Sequence, residues 1–370
     1  MKISLAEPIL TEKMIEAAIE AIKNERFLRG RSVREFEKEF ARFIGTNHAL
    51  AVNSGTSALH LSLIAMGLKK GDCIITTPAT FISTANVITY ICAKPIFVDI
   101  SLETYTIDTE KLEKAFKEHK KIKAIIPVHL YGYPCKMDEI LEIAEKHDVK
   151  ILEDACQAHG AIYSGRRVGS FGDVAAFSFY PSKNMTVAGD GGMVTTNNDE
   201  IAEVIDSLRD VGRSRNKPYI HDCIGYTARM GTINAAIGRI QLRYIDRWNE
   251  KRRKIAREYD KKLDTIGDLV TPPKETSKIK PVYHLYVIRT KYRDQLKEFL
   301  EERNIECGIH YPLPVHLQPP YLQMGFHKAM FPNAEKWAAE ILSLPMHPNL
   351  TKEGIEYIVT CIEDFFRVMR

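Results

Sequence analysis

The 370 residues contain no cysteine pair at CxxC spacing, no internal repeat and no low-complexity tract. The seven cysteines, at 73, 92, 135, 156, 223, 307 and 361, stand singly, which indicates neither a zinc site nor a disulfide framework. Nowhere do about 18 apolar residues run together as a spanning helix requires. The opening MKISLAEPILTEKMIEAA has no apolar stretch behind a basic start, so a secretory leader is not expected. The reading is a reduced, soluble, cytoplasmic protein without a membrane partner. Charge of one sign is also lacking: 52 basic and 48 acidic side chains give +4, which argues against nucleic acid as a partner. No GxGxxG follows the first apolar run, which removes the fingerprint of a dinucleotide-binding dehydrogenase.

What the chain has is β-like runs, seven in the first 200 residues. They are 48–53, 73–78, 95–100, 124–130, 150–155, 174–179 and 191–196, many separated by stretches of helical periodicity. Several are continuously apolar, as strands covered by helices on both faces are. Alternating strands and helices predict a three-layer α/β fold with a mostly parallel sheet. From Ile233 a long helical stretch turns highly charged on the way to Asp264 and is expected to link a large domain, 1–245, to a smaller C-terminal α/β domain, 246–370. Within it Lys251, Arg252, Arg253 and Lys254 read as a solvated face. A proline-rich connection over 267–281 follows, then a strand in PVYHLYVIRT, a helix in KYRDQLKEFLEERN, a strand in IECGIHY and a terminal helix.

Three segments carry chemistry. FSFYPSKNMTVAGDGGMV ends an apolar run near a lone lysine, Lys183, with Gly189, Gly191 and Gly192 behind it. ILEDACQAHGA ends another run in Asp154. Strand C-termini are where open α/β sheets bind ligands, and a Schiff-base lysine with an aspartate for a pyridinium nitrogen is the protein half of a pyridoxal 5'-phosphate (PLP) site. VNSGTSALHLSLIAMG places Ser54, Gly55, Thr56 and Ser57 at a helix N-terminus, a ready anion site for the phosphate, to which Ser178 would add a hydroxyl. Each segment alone has a plainer reading: a surface lysine, an N-capping aspartate, a serine-capped helix.

Together, NSGTSAL, TTPATFISTAN, EDACQAHGA, FSFYPSKN, GDGG, GYTARM, GIHYPLPVH and SLPMHP resemble the DegT-type sugar-nucleotide aminotransferases, PLP enzymes of fold type I, from about residue 5 to the C-terminus. The resemblance implies a seven-stranded sheet and a homodimer with composite active sites. It implies Lys183 as the covalent lysine and proton shuttle, Asp154 on the pyridine nitrogen, Phe81 stacked on the ring and Gln157 near the phenolic oxygen. It further implies Gly55, Thr56 and Ser178 around the phosphate, and His310 and Tyr311 beside the substrate. The family most often has asparagine where Thr227 stands, reaching the phosphate of the neighbouring subunit; the usual acidic pair appears as Gly231 and Thr232. The implied reaction moves an amino group from an amino acid, L-glutamate, to a nucleotide-linked keto sugar, making an amino sugar for glycan or surface polysaccharide.

Two alternatives share the cofactor. A PLP-dependent sugar dehydratase has histidine in place of the lysine, and Lys183 argues against it. A non-catalytic PLP-binding regulator would call for a helix-turn-helix or basic arm, and none is recognisable. His129 and His159 have no partner at metal-ligand spacing and read as structural.

Overall fold

The structure, a computed structural model, describes residues 2–217, 219–271 and 277–369. All seven expected runs become strands of one sheet: β1 (His48–Val52), β2 (Cys73–Thr76), β3 (Lys94–Phe97), β4 (Ile122–Ile125), β5 (Lys150–Asp154), β6 (Val174–Ser178) and β7 (Gly192–Thr196). Their spatial order is β1-β7-β6-β5-β4-β2-β3. The interior pairs are parallel, and β7 is antiparallel to both its neighbours.

Alternation along each strand divides the core into two layers. Leu50, Val52, Val174, Ala176 and Val194 pack beneath the helices Gly55–Ala65, Ser83–Tyr90 and Asp199–Leu208. Ala49, Ala51, Ala175, Phe177 and Met193 face the opposite layer, built from Arg31–Ile44 and Thr232–Leu242. Parallel strands buried on both faces explain why the sequence runs are continuously apolar.

A second core gathers Ile255, Tyr259, Tyr286, Ile288, Leu296, Leu300, Leu342, Ile358 and Ile362. Its sheet is the antiparallel pair β8 (Tyr286–Arg289) and β9 (Ile341–Leu344). Ile3 belongs to this core, bridged to Ile305, so the beginning of the chain packs against its far end.

Three expectations need correction. The long helical stretch breaks at Arg243–Tyr244 into Thr232–Leu242 and Ile245–Leu263. The second piece does span both cores, with Ile245 and Trp248 in one and Ile255, Tyr259 and Leu263 in the other. IECGIHY makes only single bridges, Ile3 with Ile305 and Gly308 with Ser343; the partner of β8 is β9, which follows its helix without a loop. Arg252 is not solvated. It is 5% exposed and donates to the carbonyls of Tyr283, His284 and Met346, while burial pulls its guanidinium down to about 10. Part of the proline-rich connection, 272–276, lies outside the described residues.

Candidate active site

The C-terminal edge of the large sheet gathers most of the predicted residues. Register places Asp154, the last residue of β5, opposite Ala176 of β6, and β6 ends two residues later in Ser178. The chain then turns, Lys183 N–H donating to the Tyr180 carbonyl at 2.8 Å, which returns the lysine to the edge it has just left. Asp154 is 5% exposed. Its Oδ2 accepts from the Thr84 hydroxyl at 2.7 Å and its Oδ1 from the Cys156 N–H at 3.2 Å; Thr80 in turn contacts Thr84 at 2.9 Å. A partly buried carboxylate held this way favours positive charge on whatever lies against it.

Lys183 is half-buried. Desolvation is the largest influence on its amine and lowers the pKa, outweighing the opposing pull of Cys156 and Asp154. An amine with a depressed pKa is more often neutral at working pH, the state a nucleophile or base requires. His159, buried against Phe177 and Phe179, is pushed down to about 3 by burial first and Lys183 second.

Beside these lies an anion cradle. Ser54 caps the helix Gly55–Ala65, its hydroxyl accepting from the Ser57 N–H at 3.1 Å. The first turn leaves the N–H groups of Gly55 and Thr56 without intrahelical acceptors, at the positive end of the dipole. Space here is set by two glycines. A Cβ on Gly55 would lie 2.7 Å from the Ser178 Cβ and 3.0 Å from the Cys156 Sγ, and one on Gly192 would run into the Ser54 carbonyl. Glycine at both positions lets the helix start close against β6 and β7. Thr56 donates to the Ser83 hydroxyl at 2.9 Å.

Aromatic side chains and one carboxamide form the rim. Gln157, 5% exposed, accepts from the Tyr131 N–H at 2.8 Å and donates to the Tyr311 hydroxyl at 3.0 Å. Tyr131 and Tyr311 stack at 6.2 Å and 4°, and the Tyr131 hydroxyl donates to the His310 carbonyl at 3.0 Å. Tyr311 has φ +70°, a left-handed conformation that costs a non-glycine residue energy and clusters at functional sites. His310 contacts the Ser343 hydroxyl at 2.8 Å, and its pKa is lowered by burial and then by Lys183. Phe81 approaches Tyr311 at 6.1 Å yet is 50% exposed; core packing is therefore not its role, and its ring is free to serve as a stacking face.

Thr227 stands apart. It is exposed, bridged to Asp210, and its carbonyl accepts from the Asn53 side chain at 3.4 Å. Sequence reasoning missed Thr84, Tyr131 and Asp210. Thr84 alone had a signal, since its motif TTPATFISTAN was already singled out. Among the described residues no three His, Cys, Asp or Glu side chains gather as metal ligands, and no helix is long and apolar enough to cross a membrane.

The chemistry of this donor set fits a phosphorylated pyridine aldehyde: a depressed amine, a buried carboxylate, an aromatic face and a helix N-terminus converge. Comparisons with known proteins agree. The model of the DegT/DnrJ/EryC1/StrS aminotransferase family matches residues 8–363. The chain is 42% identical to a pleiotropic regulatory protein of Geobacillus stearothermophilus over 97% of this chain and 95% of that one. It is 40% identical to the dTDP-3-amino-3,4,6-trideoxy-alpha-D-glucose transaminase of Streptomyces venezuelae, over 92% and 88% respectively. The PLP form of a putative sugar aminotransferase of Streptococcus pneumoniae superposes with a TM-score of 0.92 at 27% identity, covering 98% of this chain and 99% of that one.

Proposed function

The chain belongs to the DegT/DnrJ/EryC1/StrS aminotransferase family, and from that premise we propose that it transfers an amino group from L-glutamate to a nucleotide-linked keto sugar, with PLP as cofactor. The product is an amino sugar for glycan or surface polysaccharide. The observation that carries this reading is the pairing of Lys183, its amine depressed by desolvation, with buried Asp154 on one sheet edge.

Bound PLP supplies an electron sink that stabilises negative charge developing on the amino-acid α-carbon. The rest is work for the protein. Lys183 would hold the cofactor covalently, and its amine, lowered in pKa by desolvation, is suited to take and return a proton at the substrate α-carbon. Asp154, fixed by Thr84 and the Cys156 N–H, would keep the ring nitrogen protonated. Phe81 would offer the ring a stacking face, and the Gln157 amide would be available to its phenolic oxygen. Gly55, Thr56 and Ser178 would hold the phosphate, and Thr227 of the partner subunit would complete the cradle. His310 and Tyr311 close over the sugar side and exclude water.

We further propose a homodimer with composite sites and a division of the chain near residue 245, Ile3 packing with the second unit. The dimer is supported by Ile15, Ile19 and Ile22, exposed along one face of the helix Glu12–Asn24, with Phe27 and Leu28 beside them. A PLP-binding regulator, as the name of one relative suggests, would use the same neutral amine to hold the cofactor, so turnover is what separates that reading from an enzyme.

The test is spectroscopic and kinetic. The protein loaded with PLP should be yellow, lose that band with borohydride, and lose turnover in Lys183→Ala. Incubating its pyridoxamine form with UDP-, dTDP- and GDP-linked keto sugars identifies the acceptor as the one that restores the band. Normal transamination by Lys183→Ala would refute the reading.

A further inference from the structure

Asp210 is a buried carboxylate outside the site. It is 1% exposed and ion-paired to three arginines: Arg229 at 2.5 Å, Arg29 at 2.6 Å and Arg213 at 3.4 Å. One negative charge faces three positive ones, which leaves a surplus of two on this cluster.

Its position couples it to Thr227. The two residues are directly paired in an antiparallel bridge, so their side chains stand side by side on one face, and Arg229, two residues on, points the same way. Hydrogen bonds on either side, Val211 N–H to the Tyr226 carbonyl at 2.9 Å and Ala228 N–H to the Arg209 carbonyl at 3.0 Å, fix the register.

The same carboxylate reaches the loop 26–32. Arg29 has φ +55°, a strained conformation for a residue with a Cβ, and its ion pair with Asp210 holds it there. That loop is zipped to Thr232, just beyond the GYTARM segment, by Thr232 N–H to the Phe27 carbonyl at 2.9 Å and Gly30 N–H to the Thr232 hydroxyl at 3.2 Å. Asp210 thus ties three pieces of chain: its own, the loop, and the segment that presents Thr227.

We propose that Asp210 is a positioning residue for Thr227, holding that hydroxyl toward a dianionic phosphate bound by the partner subunit. This rests on the cross-subunit reading of Thr227 given above. A threonine hydroxyl makes only one hydrogen bond toward such an oxygen, so its placement decides the strength of the contact.

The experiment uses dimeric apoprotein, its mass confirmed by sedimentation, titrated with PLP and followed at the visible band. Asp210→Asn should raise the PLP Kd about tenfold, Thr227→Ala by a similar factor, and the double variant by no more than either, because both remove one contact. Should Asp210→Asn not fold, Arg29→Gly, which suits the left-handed backbone, and Arg229→Gln each cut one tie and should raise Kd about threefold. An unchanged Kd in Thr227→Ala, with Lys183→Ala still inactive, would sink the cross-subunit contact and this proposal while leaving the aminotransferase reading intact. A raised Kd in Thr227→Ala with none in the Asp210 and arginine variants, or full additivity in the double variant, would overturn the Asp210 assignment alone.

Discussion

Glu153 and Asp154 are consecutive carboxylates on one strand, both buried, and their surroundings could hardly differ more. The Glu153 oxygens accept from the N–H groups of Gly169 at 2.8 Å, Phe171 at 2.7 Å and Gly172 at 2.8 Å, and from His129 Nε2 at 3.2 Å. The Cys135 N–H donates to Nδ1 of that histidine at 3.0 Å, which leaves Nε2 to carry the proton. Four donors fill the four lone-pair sites a carboxylate offers. Asp154 has two donors, Thr84 and the Cys156 N–H, and half its capacity remains. A saturated buried carboxylate is a pin that fixes the chain leading into β6; an unsaturated one at a sheet edge has room for a further donor. Two adjacent acids in a sequence do not announce which is which, but the count of their donors does.

Neutralising each acid in turn should separate the two roles. Asp154→Asn keeps the shape and removes the charge that would hold the ring nitrogen protonated. Turnover should fall by about a thousandfold, roughly 4 kcal/mol, with the denaturation midpoint little changed. Glu153→Gln should do the reverse. Its amide turns a donor toward backbone donors, which costs on the order of 3 kcal/mol of stability, read as a lower urea midpoint, while kcat of the folded enzyme stays near normal. Exchanged outcomes would mean that donor count is no guide to function in this fold.

A smaller effect follows from the histidines of the same region. His129 has both nitrogens engaged, whereas His159 has no well-aligned hydrogen-bond partner among the described residues and is held down to about 3. Between pH 6.5 and 3 the unfolded chain binds a proton that folded His159 refuses, so its contribution to stability is complete above about pH 6.5 and is lost as pH falls toward 3. From pH 6.5 to 4.5 the loss should be roughly 2 to 3 kcal/mol. Urea titrations at both pH values should show that much less acid sensitivity in His159→Gln than in the parent.

How much of this contrast was legible in the sequence depended on range. The seven strands were, because each is a local apolar run and burial on both faces leaves a continuous signal. The placements of Asp154 at a strand end and of Ser54 to Ser57 at a helix start were also legible, since each ends or begins an element, whereas Lys183 lies in the turn beyond β6. IECGIHY was misread because its apolar residues serve contacts at opposite ends of the chain, Ile3 and Ser343, which no local pattern encodes. Ile341–Leu344 was missed because four residues directly behind a helix show no period. Arg252 carried a usable signal that charge concealed: it stands on the buried stripe of Trp248, Asn249, Ile255, Ala256 and Tyr259, where helical spacing outranks residue type. The saturation of Glu153 was closed to inspection, because its donors lie 16 to 19 residues away in an irregular loop whose path sequence does not fix.

The finest test of the contrast touches neither carboxylate. Thr84→Val replaces the hydroxyl that donates to Asp154 at 2.7 Å with a methyl of similar size, leaving the Cys156 N–H as the remaining donor. Thr84 is itself buried, so the cavity is conserved, while Thr80, whose hydroxyl lies 2.9 Å from that of Thr84, loses a partner. A hydrogen bond to a charged group contributes about 1.5 to 3 kcal/mol, but part of it only holds the carboxylate still, and the aspartate retains its charge without it. Turnover should therefore fall by about tenfold, well short of Asp154→Asn. Affinity for PLP should fall with it, because a carboxylate free to rotate meets the ring nitrogen less often. A Thr84→Val enzyme as impaired as Asp154→Asn would show that orientation outweighs charge at this edge; one with unchanged kcat and PLP Kd would show that the Cys156 N–H alone suffices to aim the aspartate.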